Sequence, residues 1–211
     1  MKIILVDDHP VVRQGIRLML AADPELEVTA EAATAEAAIE LLRKPELLVD
    51  LLILDLNLPD QNGMVVLQES KRQRPALAVL IMSIQPEEHM AVRALKLGAS
   101  GYLNKEAAPE ELLRAVRTIG RGKRYISPTL AEWLALDVSG HRESLPHERL
   151  SDREYQVFCL MAGGKSISEI AELLSRSPNT ISTYRARILR KMGIETNSGL
   201  TQYAIQHQLI R

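Results

Sequence analysis

Four ionisable side chains of this chain stand where they could do chemistry. Asp7 and Asp8 follow the apolar run "KIILV", Asp55 closes "LLILD", and Lys105 follows "GYLN". Apolar runs of this length without alternation read as strands buried on both faces. A carboxylate inside such a strand is costly to desolvate, but at the C-terminal end it stands where open α/β sheets hold their ligands. Three carboxylates gathered on one sheet edge repel one another and need a cation. Hard oxygen ligands with water positions to spare suit Mg²⁺. Beside a divalent ion and an ammonium group, a carboxylate is a nucleophile toward phosphoryl groups. Asp55 is the expected nucleophile. The expected Mg²⁺ ligands are Asp8, Asp55 and the backbone carbonyl of Asn57, with Asp7 acting through water. Lys105 and the hydroxyl of Ser83, at the end of "LAVLIMS", are expected on the remaining phosphoryl oxygens. Pro59 and Gly63 shape the loop carrying Asn57. His9 reads as a polar residue opening a helix in preference to a metal ligand.

Positioning these groups requires a parallel sheet. Strands "KIILV", "LEVTAEA", "DLLILD", "LAVLIMS" and "GYLNK" alternate with helical stretches beginning near Pro10, Thr34, Gly63, Pro86 and Pro109. Pro in a first helical turn, Thr as N-cap and Gly after the last turn are start and stop signals. Strand–helix alternation with short loops implies right-handed crossovers and a doubly wound (βα)5 fold with helices on both faces. In the flavodoxin-like order 2-1-3-4-5, strands 1, 3 and 4 are neighbours and their C-terminal ends form one rim.

The remainder of the chain has a different character. With 211 residues, the length accommodates two small domains. We expect a first domain over 1–121, a linker over 122–148 carrying one short helix from Pro128 to Val138, and a second domain over 149–211. Trp133 is expected to pack the linker helix. The single cysteine, Cys159, excludes an internal disulfide and reads as a buried structural thiol. No apolar run approaches the ~20 residues of a membrane helix, and no basic leader precedes the first strand, so a cytoplasmic location with no membrane partner is expected.

Net charge −1 conceals an asymmetry: 14 basic and 18 acidic side chains lie in residues 1–122, against 12 and 9 in the rest. Between Arg176 and Lys191 there are five basic residues and no acid. A basic stripe of this kind suggests nucleic acid as partner. From Leu150 the pattern is all-helical. "SDRE" and "SISE" each open a helix with a capping box, and "SPNTISTYRARILRKMG" starts with Ser177 and Pro178 and stops at Gly193. On that helix Ile181, Tyr184, Ile188 and Met192 form one apolar stripe. Asn179, Ser182, Thr183, Ala186, Arg187 and Arg190 point the other way. A solvated face would mix signs, and this one does not.

Taken together, "VDDHP", "LDLNLPDQNG", "LIMS" and "GYLNK" resemble the receiver domain of two-component response regulators, over roughly residues 1 to 120. "LSDREYQVFCLMAGGKSISEIAELLSRSPNTISTYRARILRKMG" resembles the LuxR-type four-helix domain, with its helix-turn-helix at about 167–186. The pair is that of the NarL/FixJ subfamily. The resemblance implies a DNA-binding transcriptional regulator, not an enzyme. Asp55 would be the phospho-acceptor, served by a sensor histidine kinase and Mg²⁺. Asp7 and Asp8 are then the acidic pair, Lys105 the lysine, Ser83 the switch hydroxyl and Tyr102 the switch aromatic. In the second domain Ser182, Thr183 and Ala186 take the positions that enter the major groove of double-stranded DNA. Arg185, Arg187, Arg190, Lys191 and the backbone at Asn179 and Thr180 are the expected phosphate contacts. Activation implies a homodimer, with the helix Asn197 to Gln208 as candidate for pairing the DNA-binding domains. RNA polymerase is a further candidate partner. One position departs from the family pattern: Ile84, after the switch hydroxyl, is large where a small residue is usual, and would crowd the entrance for phosphodonor and water. It keeps open a constitutive DNA-binding protein that ignores phosphorylation. A Mg²⁺-dependent phosphatase of the haloacid-dehalogenase kind is the other rival, but it needs a second Asp where Asn57 stands.

Overall fold

The computed structural model describes residues 1–84, 87–138, 145–174, 176–207 and 209–210, without the side chains at 87–89, 133, 136–138 and 152. Gln85 and the Trp133 side chain therefore lie outside the described residues, as does Gln208, the expected end of the last helix. The chain divides into two compact units, Met1–Ser139 and Gly140–Arg211.

In the first unit strands and helices alternate: β1 Lys2–Val6, α1 Pro10–Leu20, β2 Glu27–Ala32, α2 Ala35–Arg43, β3 Leu51–Asp55, α3 Gly63–Gln73, β4 Ala78–Ser83, α4 Glu87–Lys96, β5 Gly101–Asn104, α5 Pro109–Gly120 and α6 Pro128–Val138. All strand pairs are parallel, in the order β2-β1-β3-β4-β5. This is the doubly wound, flavodoxin-like arrangement. Every residue of β3 is buried, as are Ile3, Ile4, Leu5 and Val6 of β1. These central strands lack a solvent face, which explains their unbroken apolar runs. Side chains of α1 and α5, among them Ile16, Leu20, Leu112, Val116 and Ile119, close one face of the sheet.

Register sets the rim. Val6 pairs with Leu54, Asp55 with Met82, and Ser83 with Asn104. The residues that follow, Asp7 and Lys105, are still tied to the neighbouring strands, through Asp7 N–H to the Ala32 carbonyl at 3.1 Å and Lys105 N–H to the Ser83 carbonyl at 2.9 Å. A one-residue slip would turn Asp55 to the opposite face.

Beyond α5 the chain continues on the first unit. Tyr125 bridges to Gly101, its N–H donates to the Ser100 carbonyl at 2.8 Å, and its hydroxyl donates to Glu111 Oε1 at 2.6 Å. Leu130 of α6 is buried. The stretch expected as linker thus opens with residues that pack.

The second unit opens with a short 3₁₀ turn, Pro146–Arg149, followed by α7 Asp152–Ala162, α8 Ile167–Leu173, α9 Pro178–Met192 and α10 Asn197–Gln206. Ser151 and Glu154 form a reciprocal capping box at α7, and Ser166 and Glu169 another at α8. Gly193 ends α9 at φ 65°, a left-handed conformation that favours glycine. The core collects Tyr155, Val157, Phe158, Ile170, Ile181, Ile188, Leu200 and Ala204. Cys159, expected buried, is half-buried. Among the described residues no helix is long and apolar enough to cross a membrane.

Candidate functional site

At the C-terminal rim of the sheet the structure brings together the groups singled out from sequence. Asp7 and Asp55 are buried, at 1% exposure each, and Asp8 is half-buried beside them. Single ligand atoms of Asp7, Asp8, His9 and Asp55 all lie within 4.8 Å of one another. The Lys105 ammonium enters this cluster, with Nζ 2.5 Å from Asp7 Oδ2 and 2.7 Å from Asp55 Oδ2. Its side chain is only 8% exposed. Ser83 and Tyr102 are fully buried, on β4 and β5. Ile84 is 46% exposed.

Local geometry explains the arrangement. Asp55 ends β3 and its Oδ1 accepts the Asn57 N–H at 3.1 Å, so the chain turns directly over the carboxylate. Gly63 returns the loop, its N–H donating to the Leu56 carbonyl at 2.8 Å. A Cβ at Gly63 would stand 2.2 Å from the Asp55 carbonyl oxygen and 2.8 Å from Leu56 Cα, so no larger residue fits without moving backbone. Asp7 Oδ1 accepts the His9 N–H at 2.9 Å, and its carbonyl accepts Arg13 Nη1 at 2.6 Å. The Asp7 carboxylate and main chain are thereby both held.

Burial pushes the Asp55 carboxyl above its ordinary value, even though the Lys105 ammonium pulls the other way. The pocket thus holds a carboxylate short of counter-charge. A divalent cation would supply what is missing, and the carboxylates of Asp7, Asp8 and Asp55 are hard oxygen donors of the kind Mg²⁺ takes. The buried Asn57 amide nitrogen has no hydrogen-bond partner among the described residues, which leaves a donor available for a ligand oxygen.

In the second unit α9 is built as its pattern suggests. Ile181, Ile188 and Met192 are buried and Tyr184 is half-buried, while Asn179, Ser182, Thr183, Ala186, Arg187 and Arg190 are exposed. Thr180 is half-buried, and its N–H donates to the Ser177 hydroxyl at 3.2 Å. Two of the side chains expected as phosphate contacts also have partners within the chain. Arg185 Nε donates to Asn197 Oδ1 at 2.8 Å, joining α9 to α10. Lys191 Nζ lies 2.6 Å from Glu154 Oε2 and 3.4 Å from the Arg149 carbonyl. Glu154 was legible only as a capping residue. Its pairing with Lys191 joins residues 37 apart on different helices, and helical periodicity carries no such signal.

Comparison with known families decides the assignment. Residues 3–117 match the family of the response regulator receiver domain, and residues 148–204 match the bacterial regulatory proteins of the luxR family. The chain is 33% identical over 208 residues to the response regulator UvrY of Escherichia coli K12, covering 98% of this chain and 94% of that one. It belongs to the two-component response regulators.

Further relatives of this response regulator point the same way. The response regulator GacA of Pseudomonas aeruginosa is 34% identical over 210 residues, covering 99% of this chain and 97% of GacA. Among solved structures, RcsB of Salmonella typhimurium aligns with a TM-score of 0.78 at 29% identity, covering 98% of both chains. RcsB bound to the promoter rprA in the presence of the phosphomimetic BeF3⁻ aligns with a TM-score of 0.77 at 29% identity, covering 96% of this chain and 97% of that one. A receiver joined to a LuxR-type domain makes the chain a DNA-binding transcriptional regulator of the NarL/FixJ kind.

Proposed function

We propose that this response regulator controls its DNA binding by accepting a phosphoryl group on Asp55. The observation that carries the reading is the buried cluster in which one ammonium, Lys105, touches both Asp7 and Asp55. The donor would be the phosphohistidine of a sensor kinase. The N–P bond breaks, a carboxylate oxygen of Asp55 bonds to phosphorus, and the electron pair returns to the imidazole. The residues that would hold Mg²⁺ are Asp8, Asp55 and the Asn57 carbonyl, with Asp7 acting through water. When bound, the ion offsets charge on the transferred oxygens. Lys105, already at Asp55 Oδ2, follows the new negative charge, and the Ser83 hydroxyl donates to another phosphoryl oxygen. Withdrawal of Ser83 opens space beside Tyr102, which carries the change to the α4–β5 surface.

Downstream, activation pairs two subunits so that two α9 helices read two half-sites of double-stranded DNA. Ser182, Thr183 and Ala186 face base edges. Arg187 and Arg190 are the leading phosphate contacts, because Arg185 and Lys191 must first leave Asn197 and Glu154. The kinase, RNA polymerase as a possible target, and a cytoplasmic location belong to the same reading.

Purified protein mixed with a small phosphodonor and Mg²⁺ should gain one phosphoryl mass by intact mass spectrometry, and Asp55→Asn should not. A protein that never gains it, yet binds DNA with unchanged affinity, would be a constitutive regulator. The specific feature that favours such a mode is Ile84, 46% exposed at the rim. Ile84→Ala speeding phosphoryl uptake would identify that side chain as a gate. Turnover of a phosphate ester would instead indicate the phosphatase, which the residue at Asn57 disfavours.

A further inference from the structure

His9 was expected to be a polar residue opening α1, and it does stand at the start of that helix, where its carbonyl accepts the Arg13 N–H at 3.1 Å. His9 is the N-cap residue of α1, in extended conformation at φ −93°, but its side chain makes no capping hydrogen bond to the helix. It turns instead to the carboxylates. Nδ1 lies 2.5 Å from Asp8 Oδ1 and 3.4 Å from Asp7 Oδ1. The side chain is 43% exposed, open to solvent on its other side.

Two groups approach the acidic cluster, on different oxygens. Lys105 Nζ is on the Oδ2 atoms of Asp7 and Asp55. His9 Nδ1 is on the Oδ1 atoms of Asp7 and Asp8. An ammonium has no lone pair and can never ligate a metal. An imidazole nitrogen can, and does so more than any other protein nitrogen. Around one six-coordinate divalent ion with bonds of about 2.1 Å, neighbouring donors stand about 3 Å apart and opposite donors about 4.2 Å. The atoms of Asp7, Asp8, His9 and Asp55 lie within 4.8 Å of one another, so the wider pairs need a slight closure, while His9 Nδ1, 2.5 Å from Asp8 Oδ1, must draw back by about half an ångström to reach that spacing.

We propose that His9 contributes its imidazole nitrogen to the cation site, making it a mixed nitrogen and oxygen site that favours Mn²⁺ over Mg²⁺. The inference rests on the reading of this pocket as a cation site and adds a donor to it. Its physical basis is ligand softness. Mg²⁺ holds oxygen and water and gains little from imidazole, whereas Mn²⁺ and the later divalent ions accept it. The sheet rim alone would provide an all-oxygen site. His9 adds selectivity without altering the nucleophile, because it approaches the Oδ1 atoms of Asp7 and Asp8 while Lys105 holds Asp55 Oδ2.

The test uses the full-length protein with Mn²⁺ and Mg²⁺ as probes. Electron spin-echo spectroscopy of bound Mn²⁺ should show coupling to a directly ligated ¹⁴N nucleus, replaced by ¹⁵N lines when the protein is made with ¹⁵N-labelled histidine. That readout needs no mutation, so a variant that folds poorly does not decide the matter. By calorimetry, His9→Ala should lose about tenfold in Mn²⁺ affinity with Mg²⁺ affinity nearly unchanged, and its nitrogen coupling should vanish. Mn²⁺ bound without histidine coupling would overturn the assignment of His9 and leave the cation site standing. Tighter Mg²⁺ binding in His9→Ala would also overturn it, marking the imidazole as an occupant that the ion displaces. Failure of the wild-type chain to bind either ion would overturn both the assignment and the cation site beneath it.

Discussion

Each unit of the molecule contains a lysine pressed against a buried carboxylate, and the two pairs behave in opposite ways. In the receiver, Lys105 meets Asp55 at 2.7 Å, and the carboxyl is nonetheless pushed above its ordinary value. In the LuxR-type domain, Lys191 meets Glu154 at 2.6 Å, and the carboxyl is held below its ordinary value. Burial opposes ionisation in both. The difference lies in the other neighbours. Glu154 also accepts the Ser151 N–H at 2.8 Å, which completes a capping box, and among the described residues no second carboxylate pairs with its lysine. Asp55 shares one ammonium with Asp7 and, among the described residues, has one backbone donor, the Asn57 N–H. A satisfied pair holds helices together. An under-satisfied pair holds a site ready for another cation, and it costs stability until one arrives.

Replacing each acid would sharpen the contrast most. Asp55→Asn should abolish phosphoryl uptake altogether, as intact mass reports. Without added metal it should also raise the melting temperature, since the buried charge is gone and Lys105 keeps Asp7. A lower melting temperature would mean that the Asp55 pair is net stabilising and that the contrast is mistaken. Glu154→Ala should destabilise the LuxR-type domain by about 2 kcal/mol, through loss of a cap and of a charge-assisted hydrogen bond. Chemical denaturation followed by circular dichroism measures it.

The pH dependence of stability should separate the two by sign. Glu154 has a depressed native pKa, so its contribution is complete above its ordinary value near 4.5 and is lost as pH falls through the native value. Asp55 has a raised native pKa, so the metal-free receiver is favoured at low pH and loses that advantage as pH rises through the native value. Melting curves of the parent, Asp55→Asn and Glu154→Gln across pH 3 to 7, roughly the carboxylate range, should show the two slopes disappearing separately.

The smallest effect concerns DNA. Arg187→Ala and Arg190→Ala should each reduce the slope of log affinity against log salt by about 1, as expected for a lost phosphate contact. Lys191→Ala should leave it nearly unchanged, because Glu154 already holds that ammonium. An equal loss for Lys191 would show that the protein–DNA contact overcomes the internal pair.

Much of this was legible in the chain. Buried parallel strands announce themselves as unbroken apolar runs, and an acid that closes such a run has nowhere to go but the rim. Asp7, Asp55 and Lys105 were therefore readable from local pattern together with topology. The face of α9 followed from periodicity. Three features did not follow. The pairing of Lys191 with Glu154 depends on how α7 and α9 pack. The direction of His9 is a rotamer choice between a helix end and a carboxylate. The segment after Gly120 looks polar and broken, yet Tyr125 and Leu130 anchor it, and two well-placed side chains weigh little in composition.

The missing side chain at residue 63 has a last consequence. Because the first turn of α3 rests directly on the Asp55 main chain, that aspartate and the helix form one mechanical piece. A message written on that aspartate has no slack to pull on this side. On the proposed reading it would leave across β4 and β5, the strands that carry Ser83 and Tyr102.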